Sequence, residues 1–196
     1  MRIWQDLAPR AKPAQMLASV EASQLLEFAI VLPLLAVLVI GIFDFGAALN
    51  LKQELNTAAR EGAAFGANLP TNDLGPNGSS TGQPQSVVGV RNLVDAYLVQ
   101  SRINDCGLGP AAAGSSSWIW IATGSCSGGT FTLTINRGYV FKSNGANGPV
   151  DVVATQVSIS YPYQWTFNSI IQVLVPGATY SATIQLAASS TMPNLL

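Results

Sequence analysis

The sequence contains few residues of the types that usually act in catalysis or bind metal ions. The 196 residues include no histidine and only two cysteines. This excludes histidine-based acid/base catalysis, Ser-His-Asp and Cys-His dyads, and zinc sites that need histidine or several cysteines. The carboxylates Asp95, Asp105 and Asp151 are scattered and no motif joins them. The sequence therefore predicts a chain that is not an enzyme and has no cofactor, metal ion or small-molecule substrate. A membrane-anchored enzyme that uses these carboxylates is the weaker alternative.

Charge and composition narrow the class of protein further. Nine Lys and Arg residues against ten Asp and Glu residues give a net charge of −1, so no basic surface is available to bind nucleic acid. With 48% apolar and 10% charged residues, the chain is too apolar to be disordered. Its length fits one domain plus a membrane segment.

That membrane segment is predicted near the N-terminus. Residues 28–43, FAIVLPLLAVLVIGIF, carry no charge, and the apolar character resumes after Asp44. A helix over residues 28–49 would be about 33 Å long, which matches a bilayer core of about 30 Å. Pro33 is expected to kink or locally melt this helix, unless close packing satisfies the freed carbonyl. Asp44 is expected to reach the lipid headgroups as a boundary residue.

The sequence on either side of this segment indicates its orientation. The excess of cationic residues before it is small and only weakly favours a cytoplasmic N-terminus; these residues are Arg2, Arg10 and Lys12 before it, and Lys52 and Arg60 after it. Beyond residue 68 the chain is poor in charge and rich in Ser, Thr, Gly and Asn, which is typical of an exported domain.

Glu27 stands at the entrance of the apolar run, where a carboxylate is costly unless it reaches water or a partner. Residues 22–28, ASQLLEF, followed by AIVLPLLAVLVIGIFDFG, resemble the N-terminal signature of the TadE-like pseudopilins, relatives of the type IV pilins. That signature has a glycine, a cleavage site, four residues, then Glu followed by Tyr or Phe and a long apolar helix. Residues 56–63, NTAAREGA, also resemble the family's Asn-Ala-Ala-Arg-Glu-Gly-Ala pattern.

The resemblance implies a maturation step. A prepilin peptidase would cut between Ala22 and Ser23, so that Ser23 becomes the N-terminus and Glu27 the fifth mature residue, followed by Phe28. Ala22 replaces the family's usual glycine and is the nearest substitute in size. The carboxylate of Glu27 would then neutralise the α-amine of Ser23 on a neighbouring subunit inside an apolar helix bundle.

The resemblance also implies a function. The chain would be a pseudopilin, a minor structural subunit of a bacterial tight-adherence (Flp-type) pilus assembly and secretion system. Its partners would be the membrane, the prepilin peptidase, other pilin or pseudopilin subunits and the inner-membrane assembly platform. It would cross the inner membrane once, with a cytoplasmic N-terminus and a periplasmic or extracellular C-terminal domain.

The predicted organisation has four parts: a cytoplasmic leader at 1–22, a transmembrane helix and helical stem at 23–67, a loop at 68–85 and an exported α+β domain at 86–196. The helix over 23–67 would be about 68 Å long. The fold class is therefore α+β and pilin-like, with one long N-terminal helix and a small head of helix and antiparallel sheet.

A stripe of small residues lies on the predicted stem. Ala58, Gly62 and Gly66 recur every four residues, so they share one helix face where another helix or a sheet can approach closely. Two uses of this face stay open at the level of sequence. It packs either against neighbouring subunits or against the chain's own sheet.

The exported domain is predicted to hold a helix over residues 86–102, capped by Ser86, and an antiparallel meander. The turns between strands are assigned to Arg137-Gly138 and to residues 144–149. Residues 167–175 are ambiguous between a short helix and a buried strand. The predicted strands cover residues 118–122, 130–136, 139–141, 152–161 and 180–188.

The remaining candidates are the cysteines and a group of aromatic residues. Cys106 and Cys126 are expected to form a disulfide in an oxidising periplasm, with two free thiols as the alternative. The aromatic residues could form a carbohydrate or partner surface, although aromatic residues in strands more often belong to the core. They are Trp118, Trp120, Tyr161, Tyr163 and Trp165.

A different class of function also remains open. The chain could be a membrane-anchored or secreted periplasmic binding protein without a role in a pilus. In the secreted case the apolar run would be a signal peptide cut near residues 46–48, GAA, which read as a small-residue cleavage site.

Overall fold

A computed structural model describes residues 13–76, 82–108, 112–145, 148–166 and 183–195. The chain divides into two compact units, Met1–Phe43 and Asp44–Leu196. We call the second unit the head. Helix α1, Pro13–Ala67, supplies the described part of the first unit and continues into the head.

In the first unit, α1 exposes apolar side chains on all sides. Leu34 and Phe43 have relative exposures of 73% and 75%. Among the residues that the structure describes, 23–67 form the one helix long and apolar enough to cross a membrane. The helix is unbroken through Pro33, so the local melting expected there is not found.

In the head, one face of α1 is buried and consists largely of small residues. Leu55, Ala58, Ala59 and Ala63 are fully buried, and this narrow face allows the helix backbone to approach its neighbours closely. Polar residues such as Arg60 lie on the opposite, exposed face. This change from apolar on all sides to amphipathic is expected where a helix leaves lipid and begins to pack on a soluble domain.

Helix α2, Gln85–Gln100, packs its valine face on the core through Val87, Val90 and Val94, which are all fully buried. The predicted capping role of Ser86 is wrong, because Pro84 occupies the N-cap position. Ser86 instead donates to the carboxylate of Asp73 from both its backbone N–H, at 2.7 Å, and its hydroxyl, at 3.1 Å. Asp73 thus supplies the acceptor and negative charge that favour a helix N-terminus.

The described part of the sheet is an antiparallel meander of five strands in the order β1-β2-β3-β4-β5. The fold class is α+β, as predicted. The strands are β1 Ala112–Ser116, β2 Ile119–Cys126, β3 Gly129–Gly145, β4 Gly148–Gln164 and β5 Thr183–Pro193.

The alternation that predicted β3 is confirmed. Phe131, Leu133 and Ile135 face the core, while Thr132 and Thr134 between them are partly exposed. This is the expected pattern for a strand whose sheet covers the core on one side only.

The predicted turn at Arg137-Gly138 is wrong. β3 runs through both residues, and the pairing with β4 shifts register between Asn136 and Tyr139, so the Arg-Gly pair forms a β-bulge. The turn predicted over residues 144–149 agrees with the pairing of Gly145 and Gly148 at the end of the β3–β4 hairpin; the two residues between them lie outside the described residues. The ambiguous segment 167–175 and residues 180–182 of the last predicted strand lie outside the described residues.

Candidate functional site

The N-terminal candidates all lie on α1. The predicted cleavage site between Ala22 and Ser23 is inside this helix, because the helix begins at Pro13. The side chains of Ser23, Glu27 and Phe28 are exposed. The helix neighbours of Glu27 at three and four residues' distance are Gln24, Ser23, Ile30 and Val31. None of these is cationic, so its own helix face offers the carboxylate no counter-charge.

Asp44 marks the place where the head begins. It is only 6% exposed, and the hydroxyl of Tyr163 on β4 donates to its Oδ1 at 2.8 Å. The same hydroxyl lies 3.3 Å from the backbone carbonyl of Asp44. The Asp44 carboxylate is therefore not open to the headgroups as expected, because the end of β4 covers it. The charge-free run of α1 thus ends at Phe43, and the head begins at Asp44.

The hydrogen bond to Asp44 also changes the chemistry of Tyr163. Burial raises the pKa of the Tyr163 phenol to about 12, helped by the hydrogen bond to Asp44 and its negative charge. The phenol therefore stays protonated and remains a donor to Asp44 far above physiological pH.

The predicted group of aromatic residues separates into two sets. Trp120 and Tyr161 are buried in the core, and the Trp118 ring lies over Gly138. Tyr163 is partly buried and packs against the side of this core, and Trp165 follows the end of β4. They join Phe45 of α1 in a set that we call the aromatic cluster, defined as Phe45, Tyr163 and Trp165.

The rings of the aromatic cluster form two contacts, and Trp165 takes part in both. The Trp165 centroid lies 5.2 Å from that of Phe45 and 5.2 Å from that of Tyr163, the latter pair edge-on. Distances of this size are typical of favourable aromatic contacts. Phe45 nevertheless remains 62% exposed, so the cluster holds a large apolar surface open beside Asp44.

The small-residue stripe packs within the chain. A Cβ atom added to Gly62 would lie 2.8 Å from Cγ2 of Val94 on α2. One added to Gly66 would lie 2.8 Å from Cγ2 of Thr155 on β4. Ala58 is fully buried in the same core. Of the two uses left open by the sequence, the structure shows packing against the chain's own α2 and sheet.

A buried arginine that the sequence did not reveal holds the C-terminal end of α1. The Arg137 side chain leaves the β-bulge of β3 and is fully buried. Its Nη2 donates to the carbonyls of Gly66 at 2.8 Å and Leu69 at 2.7 Å, and its Nη1 donates to that of Pro70 at 3.3 Å. Gly66 lies in the last turn of α1 and Leu69 and Pro70 follow its end, so the guanidinium binds both the helix terminus, whose last carbonyls have no partner within the helix, and the chain just after it.

The environment of Arg137 has opposing electrostatic effects. Burial lowers the pKa of the guanidinium, and the nearby charge of Asp73 opposes this shift. The C-terminal segment completes the arrangement: Leu195 N–H donates to the carbonyl of Ala67, and Asn194 Nδ2 donates to the carbonyl of Arg137. The end of α1 is thus joined to β3 and to the segment after β5.

The structure contains the predicted disulfide between Cys106 and Cys126. It links the segment after α2 to the end of β2, where Ser125 N–H also donates to the carbonyl of Cys106 at 2.8 Å. The covalent bond and this hydrogen bond hold the segment after α2 against the sheet.

The three carboxylates considered for catalysis do not form one group. Asp151 forms an exposed ion pair with Lys142 on the β3–β4 hairpin. Asp95 and Asp105 are neighbours: burial raises the pKa of Asp95 first, and the charge and hydrogen bond of Asp105 raise it further against the lowering effect of Arg91. Within the described ranges, no group of three or more His, Cys, Asp or Glu residues could hold a metal ion.

Comparison with known proteins bears on the N-terminal helix. Residues 22–64 match a family model described as TadE-like protein. The match begins at the residue before the predicted cut and includes the NTAAREGA segment at 56–63, so the resemblance is confirmed over this part of the chain. No curated protein and no solved structure matches the chain.

Proposed function

Because residues 22–64 are TadE-like, we propose that the chain is a pseudopilin, a minor structural subunit of a bacterial tight-adherence pilus assembly and secretion system. In this proposal the chain crosses the inner membrane once, with its N-terminus in the cytoplasm and its head exported. Its partners are a prepilin peptidase, other pilin or pseudopilin subunits and the inner-membrane assembly platform.

The observation that carries the proposal is Glu27, the one charged residue between Ser23 and Phe43. The apolar side chains around it are exposed, and leaving one such side chain in water costs about 1.5–3 kcal/mol relative to burial. Lipid or neighbouring helices must therefore cover this part of α1. In either environment a carboxylate needs a proton or a cationic partner.

Maturation would provide that partner. Cutting between Ala22 and Ser23 frees an α-amine, which is largely cationic at neutral pH because its pKa is near 7.7–8.0. When helices assemble in the membrane, the amine of one subunit can pair with Glu27 of the next. The pairing fixes the axial register between the two helices, because any shift separates two charges in an apolar medium.

The alternative of a secreted protein cut near residues 46–48 fits the head poorly. Ala48 is buried, and a cut there would remove Asp44, the hydrogen-bond partner of Tyr163. The head would lose Phe45 from its aromatic cluster as well.

Replacement of Glu27 tests the assembly role. Glu27→Gln keeps the size of the side chain and removes its charge, so we expect the protein to insert in the membrane and accumulate while pilus fibres are strongly reduced, as counted by electron microscopy. Glu61→Gln is the matched control, since Glu61 lies exposed on the same helix within the head. Normal fibre numbers with Glu27→Gln would contradict the proposal.

A further inference from the structure

We propose that the aromatic cluster of Phe45, Tyr163 and Trp165 sits in the lipid headgroup region of the bilayer and fixes the depth of the membrane segment. The inference rests on the membrane-spanning part of the proposed function and not on a role in a pilus. Its occupant is the lipid surface on the side of the membrane where the head lies.

The position of the cluster along the chain supports a place in the headgroup region. Phe43 ends the charge-free run and Phe45 follows two residues later on the same helix, which is about 3 Å further along the axis. Trp165 packs on Phe45 and Tyr163. These contacts hold Trp165, which is remote in sequence, beside Phe45 at the start of the head.

The residue types in the cluster also suit the headgroup region. Tryptophan and tyrosine are enriched at membrane interfaces because each ring has an apolar body and a polar group that hydrogen-bonds to headgroups or water. The core aromatics Trp120 and Phe131 are almost completely buried, whereas Phe45 remains 62% exposed. An exposed phenylalanine adjacent to a membrane segment is favourable when lipid covers it.

The distribution of charged residues on α1 supports the same depth of the cluster in the membrane. Asp44 points its carboxylate to Tyr163 instead of into the lipid, so its charge is covered by the head. The next charged residue after it on α1 is Lys52, about 12 Å further along the helix axis. Between Asp44 and Lys52, α1 therefore brings no charged side chain to the surface beside Phe45.

A consequence follows for Glu27. If the hydrocarbon ends at Phe43, a core of about 30 Å extends back about 20 residues along α1, to Gln24. Tilting of the helix moves this limit further toward the N-terminus, because more residues are then needed to cross. Glu27 thus lies inside the hydrocarbon rather than before it, and this increases its need for a partner.

Fluorescence quenching by brominated lipids tests the inference on the full chain reconstituted in phosphatidylcholine–phosphatidylglycerol vesicles. The background variant carries Trp4→Phe, which removes the tryptophan that precedes the apolar run. We expect stronger quenching by bromines near the lipid carbonyls than by bromines near the chain ends. Adding Trp165→Phe should abolish most of this quenching, whereas adding Trp118→Phe, the matched control, should leave it intact.

The outcomes of this experiment test the interfacial position of the cluster independently of the proposed role in a pilus. Equal quenching in the Trp165→Phe and Trp118→Phe proteins would overturn it, as would quenching of Trp165 chiefly by bromines at the chain ends. Near-ultraviolet circular dichroism of both proteins verifies that the head stays folded. A protein that seats Trp165 at the interface yet supports no pilus would keep this inference and refute the proposed function.

Discussion

At the scale of single residues, two buried charged side chains define the ends of the part of α1 that lies in the head. Asp44 is covered by Tyr163 where the head begins. At the other end, Arg137 binds the carbonyl of Gly66 in the last turn of the helix and that of Leu69 just after it. Each of these groups would be costly to bury alone, because a buried charge without hydrogen bonds loses its hydration and gains nothing in return. Their partners therefore fix where the helix meets the sheet.

Removal of the Arg137 guanidinium should destabilise the head. Arg137→Met keeps much of the side-chain volume but leaves the carbonyls of Gly66 and Leu69 without these donors, so we expect a loss of about 3 kcal/mol in the free energy of unfolding. Chemical denaturation of the detergent-solubilised chain, followed by near-ultraviolet circular dichroism, measures it. Arg60→Met, at an exposed position of the same helix, is the control, and equal stability of the two variants would refute the capping role.

The Tyr163 phenol should give the head an alkaline sensitivity. Its folded-state pKa of about 12 lies above the ordinary value of 10.0. The stability linked to this proton is therefore present below pH 10 and lost as the pH rises from there toward 12. Tyr163→Phe should destabilise the head at neutral pH by about 1–3 kcal/mol, because buried Asp44 loses a donor.

The alkaline part of this prediction is measured by thermal melting at several pH values. Tyr163→Phe should lose less stability between pH 10 and pH 12 than the parent, whereas Tyr139→Phe, the control on β3, should follow the parent. A parallel decline in the parent and the Tyr163→Phe protein would show that this phenol does not titrate as proposed.

At the scale of elements, the close packing of α1 on α2 and β4 depends on two glycines. An alanine in place of an exposed helical glycine stabilises by about 1 kcal/mol. At Gly62, however, the new Cβ would lie 2.8 Å from Val94 Cγ2, and overpacking of this kind costs about 1–3 kcal/mol. The steric effect should prevail because valine side chains have few alternative rotamers.

We therefore expect different effects on stability for the same substitution at two positions of one helix. Gly62→Ala should lower the thermal stability of the head, whereas Gly46→Ala, where nothing lies within 4 Å of the added Cβ, should leave it unchanged or raise it. Differential scanning calorimetry of the purified chain checks both. A stabilised Gly62→Ala protein would mean that α1 and α2 are less tightly packed than described.

The local spacing of apolar residues predicted helices and strands well where the burial of a residue depends on its neighbours in the sequence. The alternation of Phe131, Leu133 and Ile135 with threonines predicted β3, and the valines of α2 recur at helical spacing. The pattern failed where a contact joins distant parts of the chain. Arg137 looks like half of an Arg-Gly turn until the carbonyls about 70 positions earlier are known, since its partners are Gly66, Leu69 and Pro70.

The candidate site shows the same limit. The sequence located Ala22, Ser23 and Glu27 through a linear signature, which needs no knowledge of the fold. It assigned Asp44 to the headgroups because an acid at the end of an apolar run ordinarily reaches water. Only the fold places Tyr163, which is 119 residues later, over that carboxylate.

At the scale of the whole molecule, the head has two distinct ends along α1. Tyr163 of β4 contacts Asp44 of α1, and Thr155 of β4 lies beside Gly66. β4 and the head part of α1 thus run in opposite directions, and the β3–β4 hairpin points toward the end of the head opposite the aromatic cluster. In the proposed arrangement the cluster meets the membrane, and the hairpin, with its Lys142–Asp151 ion pair, points away from it.

Maturation of the chain as a pilin-like subunit is tested most directly by the mass and N-terminal sequence of the protein isolated from membranes. We predict a chain that begins at Ser23 in cells with the prepilin peptidase and an uncut chain in cells without it. Ala22→Leu should block the cut, while Ala14→Leu, in the same leader, should not. A protein that begins at Met1 in both strains, or at Leu49, would contradict the account.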